Sequence, residues 1–264
     1  MITAEYPSAK TKKYNQSKKR TKIMKNLFIA ALVLATITSC SAQWGKKIKG
    51  NGVIKTIERT TGDYDAITIS GFFDIELVDG NEGEIRITGE ENLLEYIITE
   101  TKDDQLVIKI ENNKNIQPSK WKNSIKITIP VEEIEALSLS GSGDVVSKKT
   151  LKTSKFKTSM SGSGDITLHL EANAISATMS GSGDMNLSGS TTEFKATISG
   201  SGNIEAYELA TDHVEATVSG SADIQVVANK SIKARVSGSG DISYRGNPSK
   251  INTKISGSGS VSKK

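Results

Sequence analysis

A five-residue sequence recurs seven times in the second half of this 264-residue chain, and it constrains the fold more than any other feature. Each copy begins with Ser-Gly, the copies are spaced by 18 to 21 residues, and five of them read Ser-Gly-Ser-Gly-Asp or a near copy. The first glycines are Gly141, Gly162, Gly181, Gly200, Gly220, Gly238 and Gly257, and the closing carboxylates are Asp144, Asp165, Asp184, Asp223 and Asp241. Asn203 and Ser260 close the other two copies. Such constancy at a fixed period is typical of a repeat architecture.

The segments beside each copy alternate apolar or small residues with polar ones. Residues 175–179 read Ile-Ser-Ala-Thr-Met before one turn, and residues 185–187 read Met-Asn-Leu after it. A period of two predicts β-strands with one buried face. The middle inward position is repeatedly Ala or Thr, which predicts a narrow interior. Two strands of about five residues and two turns account for the length of the repeat.

A hairpin meander and a parallel coil both fit this arithmetic. In a coil, each repeat lies on the previous one, and equivalent residues stack about 4.8 Å apart. Identical turns are then expected, because each turn contacts its own copy above and below, whereas the two ends of a meander would diverge. We therefore predict an all-β fold with a parallel β-solenoid over residues 136–264, whose seven rungs would measure roughly 34 Å.

The turn residues have a structural interpretation. Glycine adopts positive φ without strain and lets adjacent rungs approach closely. Serine hydroxyls and the Asp carboxylates can accept hydrogen bonds from turn N–H groups. Ala222 replaces the second glycine of one copy, whereas the first glycine is present in all seven. We therefore expect substitution to be tolerated far better at a second glycine such as Gly183 than at a first glycine such as Gly181.

Residues 41–135 predict a broader β layer that covers the first rung, since an open solenoid end would aggregate. Strand patterns fall at residues 66–69, 74–77, 84–87, 105–108 and 124–127. Ser70-Gly71 resembles a degenerate turn of the repeat. Residues 92–97 fit either a helical turn or a strand, and the segment from Lys114 to Trp121, which contains Pro118, predicts an irregular loop.

Residues 1–40 are interpreted as an export segment. The apolar run at residues 27–37 follows Lys25, as in a secretory signal peptide, and is well short of the roughly 20 residues of a membrane-spanning helix. The sequence upstream of Met24 has no apolar periodicity, so we expect Met24 to be the initiator and the preceding extension to be dispensable.

The apolar run ends in Ile37, Thr38, Ser39 and Cys40, which resembles a bacterial lipobox. We therefore predict a lipid anchor on Cys40, the only cysteine of the chain. Two or three acyl chains would anchor it stably, since each buried CH₂ contributes about 0.8 kcal/mol. Ordinary signal cleavage after residue 42 or 43 is the alternative, and it would release a soluble secreted or periplasmic protein.

The formal charge of +4 does not describe the body of the chain. Residues 1–40 hold eight basic residues and one acid, which leaves 26 basic and 29 acidic residues, a net charge of −3, for residues 41–264. A protein that binds nucleic acid needs a basic surface to neutralise phosphates. The composition therefore argues against nucleic acid as a partner.

Three segments carry a family resemblance. Residues 69–75 read Ile-Ser-Gly-Phe-Phe-Asp-Ile, residues 89–94 read Gly-Glu-Glu-Asn-Leu-Leu, and the Leu-Ser-Gly-Ser-Gly-Asp series begins at Leu139. Together they resemble the head GIN domain family, autotransporter-adhesin-like proteins of Bacteroidetes envelopes, over residues 64–245. The resemblance implies a right-handed β-helix similar to pectin-lyase-like folds without their catalytic residues, and a role in adhesion. It offers no binding residues to carry over.

No constellation of residues predicts catalysis. His169 and His213 fall at different phases of the repeat and therefore do not stack as a ligand pair. Stacked carboxylates such as Asp165 and Asp184 would approach the separation used by retaining glycosidases, but identical environments would not push their pKa values apart. Calcium binding is a stronger alternative than glycosidase catalysis, since carboxylates and turn carbonyls are hard oxygen ligands. We predict turn capping for the Asp residues, with no metal, no cofactor and no enzyme activity.

We therefore predict a non-catalytic lipoprotein of the outer membrane, facing the periplasm or the cell surface, with an adhesin-like role. Its partners would be the membrane, through the lipid anchor, and a protein or glycan ligand, with homo-oligomer formation left open. A periplasmic structural accessory is one alternative. Another is a polysaccharide-acting enzyme of pectin-lyase-like fold, which would need carboxylates and a basic residue in one groove, whereas the basic residues are scattered along the sequence.

Overall fold

The computed structural model describes residues 46–264. The predicted initiator Met24 and the predicted lipidation sequence, which consists of Ile37, Thr38, Ser39 and Cys40, lie outside the described residues. Within residues 46–264, no helix is long or apolar enough to span a membrane.

The described chain is built almost entirely of β-strands, with one helical turn in its first half. The elements of the N-terminal part are β1 (Lys46–Lys49), β2 (Ile54–Thr60), β3 (Ala66–Gly71), β4 (Asp74–Asp79), β5 (Glu84–Glu90), α1 (Glu91–Leu94), β6 (Ile97–Lys102), β7 (Gln105–Ile110), β8 (Lys114–Gln117) and β9 (Lys126–Val131). The elements of the repeats are β10 (Ala136–Gly141), β11 (Val145–Gly162), β12 (Ile166–Gly181), β13 (Asp184–Gly200), β14 (Asn203–Gly220), β15 (Asp223–Val227), β16 (Ser231–Gly238), β17 (Ile242–Arg245), β18 (Lys250–Gly257) and β19 (Val261–Lys263).

The repeats stack in parallel with equivalent residues in register. Ser161 of β11 lies beside Ser180 of β12, and Ser180 lies beside Ser199 of β13. The same register continues through β14, β16 and β18. The predicted β-solenoid is therefore confirmed, and the meander is excluded because its neighbouring strands would run antiparallel.

Each rung contributes to two sheets, because the long strands β11 to β14 turn from one to the other. The strand segments that end at Ser-Gly form one sheet, which we call the serine face, in the order β6, β7, β3, β10, β11, β12, β13, β14, β16 and β18. The segments that follow the turn form the second face, in the order β2, β5, β9, β4, β11, β12, β13, β14, β15, β17 and β19.

The N-terminal part adds a first rung and a mixed layer beneath it. Ser70 and Gly71 lie in register with Ser140 and Gly141, so the degenerate turn forms a rung of the solenoid. Below it, β7 and β9 are parallel to β3 and β4, whereas β6, β5 and β2 are antiparallel to their neighbours. The broader β layer is thus confirmed. The boundary between residues 41–135 and 136–264 stays a prediction, since strands of the two parts pair with each other on both faces, β10 with β3 and β11 with β4.

Two local expectations are resolved by the structure. Residues 92–97 contain both of the proposed forms, since α1 provides one helical turn and β6 begins at Ile97. The expected irregular loop from Lys114 to Trp121 is wrong for Lys114–Gln117, because β8 pairs in parallel with β1 and buries Ile116 beside Ile48, whereas residues 118–121 form no strand. Its partner lies far away in the sequence, and a single apolar residue among polar ones gives little local pattern.

The core consists of stacked columns of buried side chains, and the side chains of the middle column become smaller along the chain. The middle inward column of the serine face consists of Leu106, Ile67, Leu137, Thr158, Ala177, Ala196, Ala216 and Ala234, in that order. All eight side chains are buried. The change from Leu and Ile to Ala confirms the narrow interior predicted for the repeats and shows that the first rungs are wider.

Candidate functional site

The glycines of the turns lie where successive rungs touch through their backbones. Gly181 has φ of +149°, and a Cβ atom placed on it would meet the Gly162 carbonyl oxygen at 1.9 Å. A Cβ atom on Gly183 would meet the Gly164 carbonyl oxygen at 1.8 Å. The expectation that Gly183 tolerates substitution is therefore wrong, because stacking in register directs both glycines at the backbone of the preceding rung. The same short contact with the rung before recurs at the other first glycines of the series.

The aspartates of the turns hold neighbouring rungs together. Each accepts a hydrogen bond at Oδ1 from the backbone N–H of the equivalent residue one rung later. The pairs and N···O distances are Asp144–Asp165 at 3.1 Å, Asp165–Asp184 at 2.9 Å, Asp184–Asn203 at 3.0 Å, Asp223–Asp241 at 2.8 Å and Asp241–Ser260 at 2.7 Å. The capping role predicted within a turn thus operates between turns.

The two histidines lie on different faces of the solenoid. His169 Nδ1 is 2.8 Å from Ser188 Oγ on the second face, and His213 Nδ1 is 2.8 Å from Ser231 Oγ on the serine face. Within residues 46–264, no group of three His, Cys, Asp or Glu side chains is placed to hold a metal ion. The histidines therefore belong to polar contacts between rungs.

Hydroxyl groups form two outward columns on the serine face, next to the turns. The column nearest the turn consists of Ser70, Ser140, Ser161, Ser180, Ser199, Ser219, Ser237 and Ser256. The neighbouring column contains Thr68, Ser138, Ser159, Thr178, Thr197 and Thr217. Ser138 Oγ and Ser159 Oγ are 2.8 Å apart, so hydroxyl groups on successive rungs can bond to one another. The result is a regular polar strip along the solenoid.

A groove of about 720 Å³ runs along the outer surface of the serine face, at the edge away from the Ser-Gly turns, and we call it the lateral groove. One outward column on it consists of Lys155, Ala174, Glu193, His213 and Ser231, and the other consists of Ala136, Lys157, Ser176, Lys195, Glu215 and Lys233. The small residues Ala174 and Ser176 interrupt the long charged side chains and leave a depression. Six successive rungs contribute, which corresponds to about 24 Å along the stack.

The lateral groove has a charged rim. Glu215 forms ion pairs with Lys233 at 2.9 Å and with Arg235 at 3.2 Å, and the hydrogen bond from Lys233 lowers the pKa of the Glu215 carboxyl. Lys155, Lys157 and Lys195 form no ion pair within residues 46–264. These three ammonium groups are therefore available to a ligand that carries negative charge, and the groove is lined mainly by apolar atoms between them.

Sequence reasoning did not find this groove. Lysines that are scattered along the chain meet on one surface because the repeat returns each of them to the same column. The available signal was the phase of Lys157, Lys195 and Lys233 relative to the following Ser-Gly, since all three precede it by the same number of residues.

A buried carboxylate in the N-terminal layer was also missed. Glu90 is fully buried and accepts hydrogen bonds from the backbone N–H groups of Gly52 at 2.5 Å and Ser119 at 2.6 Å. Burial alone would raise its pKa, but the hydrogen bonds from Ser119, Gly52 and Asn123 outweigh burial and lower it. Glu90 therefore ties two loops to the end of β5 and has a structural role.

Comparisons with known proteins agree with this architecture. The family model described as "Putative auto-transporter adhesin, head GIN domain" matches residues 63–248. No curated protein matches the chain. A solved structure of a "putative adhesin" from Bacteroides fragilis is 27% identical, has a TM-score of 0.78, and the match covers 82% of this chain and 100% of that one.

Two further solved structures are similar. A "putative lipid binding protein" from Parabacteroides distasonis is 28% identical with a TM-score of 0.71, and the match covers 83% of this chain and 100% of that one. A "putative adhesin" from Parabacteroides merdae is 22% identical with a TM-score of 0.65, and the match covers 83% of this chain and 99% of that one. The last of these shows the shared fold alone.

Proposed function

The chain belongs to the head GIN domain family, and from this premise we propose that it is a non-catalytic, adhesin-like protein of the cell envelope. We propose further that the lateral groove is its binding surface and that the ligand is an extended, negatively charged glycan or polypeptide chain. The family is described by adhesion and not by an enzymatic activity, which agrees with this proposal.

The groove is the observation that carries the proposal. It extends over six rungs that are stacked in parallel and in register, so an extended ligand can lie along a surface that is already formed. The ammonium groups of Lys155, Lys157 and Lys195 form no ion pair within residues 46–264 and would face carboxylate or phosphate groups of the ligand. Apolar atoms between them would contact the less polar faces of sugar rings or side chains.

Anchoring through Cys40 would fix the orientation of this surface. Only five residues separate Cys40 from Lys46 at the start of β1, and the six Cα–Cα steps span about 20 Å when fully extended. The N-terminal layer would then lie next to the membrane, and the solenoid would carry the groove away from it. A protein on the inner side of the outer membrane would use the same groove as a periplasmic accessory.

The first test is binding by the full chain to immobilised polygalacturonate, with dextran as an uncharged comparison. We expect retention on polygalacturonate that falls as salt is added and is lost when Lys155, Lys157 and Lys195 are all replaced by Ala. The matched control replaces Lys120, Lys122 and Lys126, which lie in the N-terminal part away from the groove. Equal losses in both triple variants, or no retention on any acidic polymer, would show that the groove is not the binding surface.

The second test determines on which side of the outer membrane the protein lies. Protease digestion of intact cells, with a periplasmic protein as a protected control, should degrade the repeats if the groove faces outside. Protection until the outer membrane is opened would exclude adhesion to external surfaces, and the accessory function would then replace the adhesin-like one.

An amphiphilic ligand is a second candidate for the lateral groove. Its lining is mainly apolar between the lysines, and one structural relative is described as a lipid-binding protein. Vesicles with anionic headgroups provide the test, since an amphiphile should compete with polygalacturonate for the same lysines. Failure of such vesicles to bind or compete would remove this candidate and leave the polymer.

A further inference from the structure

The two ends of the solenoid differ in how their last strands are paired. At the N-terminal end, the parallel stack is followed by the antiparallel strands β6, β5 and β2. At the other end, β18 pairs only with β16, and β19 pairs only with β17. Within residues 46–264, no strand pairs with the outer edge of β18 or of β19.

The direction of the hydrogen bonds identifies which backbone groups are unpaired. The N–H group of Lys250 donates to the Lys230 carbonyl oxygen, towards the preceding rung. In a parallel strand, alternate residues bond to opposite neighbours. Asn252 and Lys254 therefore also bond towards β16, whereas the N–H and C=O groups of Ile251, Thr253 and Ile255 point outward from the edge.

The side chains of these three residues belong to the interior columns. Ile251, Thr253 and Ile255 lie in register with Ile232, Ala234 and Val236, which are at most 2% exposed. Ile251 is 54% exposed and Ile255 is 47% exposed, because nothing in the described part of the chain covers them. The open end thus offers unpaired backbone groups and uncovered apolar side chains at alternate positions of one strand.

The charge around this edge is positive. Residues 230–264 hold eight Lys and Arg and a single acid, Asp241, and three of the eight, Lys230, Lys233 and Arg235, pair with Asp212 or Glu215 of the preceding rung. Lys250 and Lys254 lie on the outer side of β18 and form no ion pair within residues 46–264. Like charges directly opposite each other destabilise strand pairing, so two such edges would repel each other. Lysines on an edge strand are a common protection against pairing with a second copy.

We propose that this end binds an extended acidic segment of a partner protein, which pairs with β18 as an additional strand. Main-chain hydrogen bonds to Ile251, Thr253 and Ile255 would supply affinity, and alternate side chains would supply specificity. The inward residues of the segment would be apolar and would cover Ile251 and Ile255. The outward residues would be Asp or Glu and would lie beside Lys250 and Lys254.

The test measures binding of the full chain to a synthetic nine-residue peptide of alternating Val and Glu, with a Val and Lys peptide as the matched probe. We expect the Glu peptide to bind, with an affinity that falls as salt is added, and the Lys peptide to bind at least about tenfold more weakly. Thr253→Pro removes an outward N–H group and no bond to β16, so it should weaken binding by about tenfold or more and leave thermal stability unchanged. Thr253→Val should bind like the wild type.

A second variant covers the case in which Thr253→Pro does not fold. Replacing Lys250 and Lys254 together by Glu should reverse the preference and favour the Lys peptide. Equal binding of both peptides, or no binding of the Glu peptide, would overturn the proposal. Self-association of the wild type in sedimentation that these substitutions abolish would also overturn it, because the occupant would then be a second copy. Variants of the groove lysines should bind the peptide normally, which separates this edge from the lateral groove.

Discussion

Asp184 Oδ1 accepts two hydrogen bonds from Asn203, one from the backbone N–H and one from the side-chain amide, both at 3.0 Å. The next step of the ladder is different, since the N–H of Asp223 donates to the Gly202 carbonyl oxygen at 3.4 Å. Asn203 therefore donates to the side chain of the rung before it, but its own side chain does not accept the N–H of Asp223 in the rung after it. The rung after this step is also the one in which Ala222 replaces the second glycine, so the irregular residues coincide with the break in the ladder.

The ladder predicts a stability effect for a single carboxylate. Asp165→Ala removes the oxygen that accepts the Asp184 N–H, so we expect the free energy of unfolding to fall by about 1 kcal/mol. Asp165→Asn retains an acceptor oxygen and should lose less. Urea denaturation of the two variants provides the measurement, and equal losses would indicate that the charge of Asp165 matters rather than its hydrogen bond.

Both glycines of one turn should be intolerant of a side chain. Gly181→Ala and Gly183→Ala each place Cβ within 2 Å of a carbonyl oxygen of the preceding rung, so we expect each to cost about 1–3 kcal/mol. Ala222→Gly should change stability much less, since it removes a Cβ atom and creates no new contact with the preceding rung. Melting temperatures decide the matter, and a wild-type value for Gly183→Ala would restore the expectation drawn from the sequence.

A buried hydroxyl in the core predicts a stabilising substitution. Thr158 Oγ1 is buried without a hydrogen-bond partner within the described residues. Thr158→Val keeps the shape and removes the unsatisfied group, so we expect a gain of about 1 kcal/mol. The control is Thr191→Val, which should destabilise, because Thr191 Oγ1 donates to the Asn173 carbonyl oxygen at 3.2 Å. A loss of stability in both variants would contradict the assignment at Thr158.

Glu90 predicts how stability responds to acid. Its pKa in the folded protein lies below the ordinary value of 4.5, so its contribution is fully present above that value and is lost as pH falls through the folded pKa. We expect the free energy of unfolding to decline below about pH 4.5 and the decline to be shallower in Glu90→Gln. The control is Glu91→Gln, an exposed carboxylate, which should lose less stability at pH 7. An unchanged acid slope in Glu90→Gln would assign the acid sensitivity to other groups.

The proposed lipid anchor predicts a change of cell fraction. Cys40→Ala should move the full chain from the membrane fraction to a soluble fraction and should abolish labelling by a fatty-acid analogue. Ser41→Ala, next to it in the chain, should leave both properties unchanged. Membrane association without labelling in the wild type would favour ordinary signal cleavage instead.

The repeat made most of the fold predictable, because one period encodes strand, turn and register at once. The rung at Ser70 could be found in the same way, since its Ser-Gly is retained although the rest of the turn is not. Pairing between β1 and β8 could not, because contact between Ile48 and Ile116 depends on two short segments that are distant in sequence. The error at Gly183 has another cause, since a single Ala222 in a different rung does not report the space at Gly183.

The candidate site was less predictable than the fold. An outward column of a solenoid is visible in the sequence only when residues are compared at the same phase of the repeat. Lys157 and Lys195 then fall in one column, but the depression between them depends on the small side chains of Ser176 and Ala174. The role of the Asp residues was close to the expectation, although their partners belong to the following rung rather than to their own turn.

The middle column of the core divides the solenoid into two kinds of building block. Between Ala177 and Ala234, each rung meets another of nearly the same width, so a complete repeat inserted there would find matching surfaces on both sides. Between Leu106 and Thr158, the residue in this column changes at every rung, from Leu to Ile, back to Leu and then to Thr. We therefore expect insertion of a complete repeat to be tolerated between Ala177 and Ala234. Such an insertion would lengthen the lateral groove and leave the N-terminal layer unchanged.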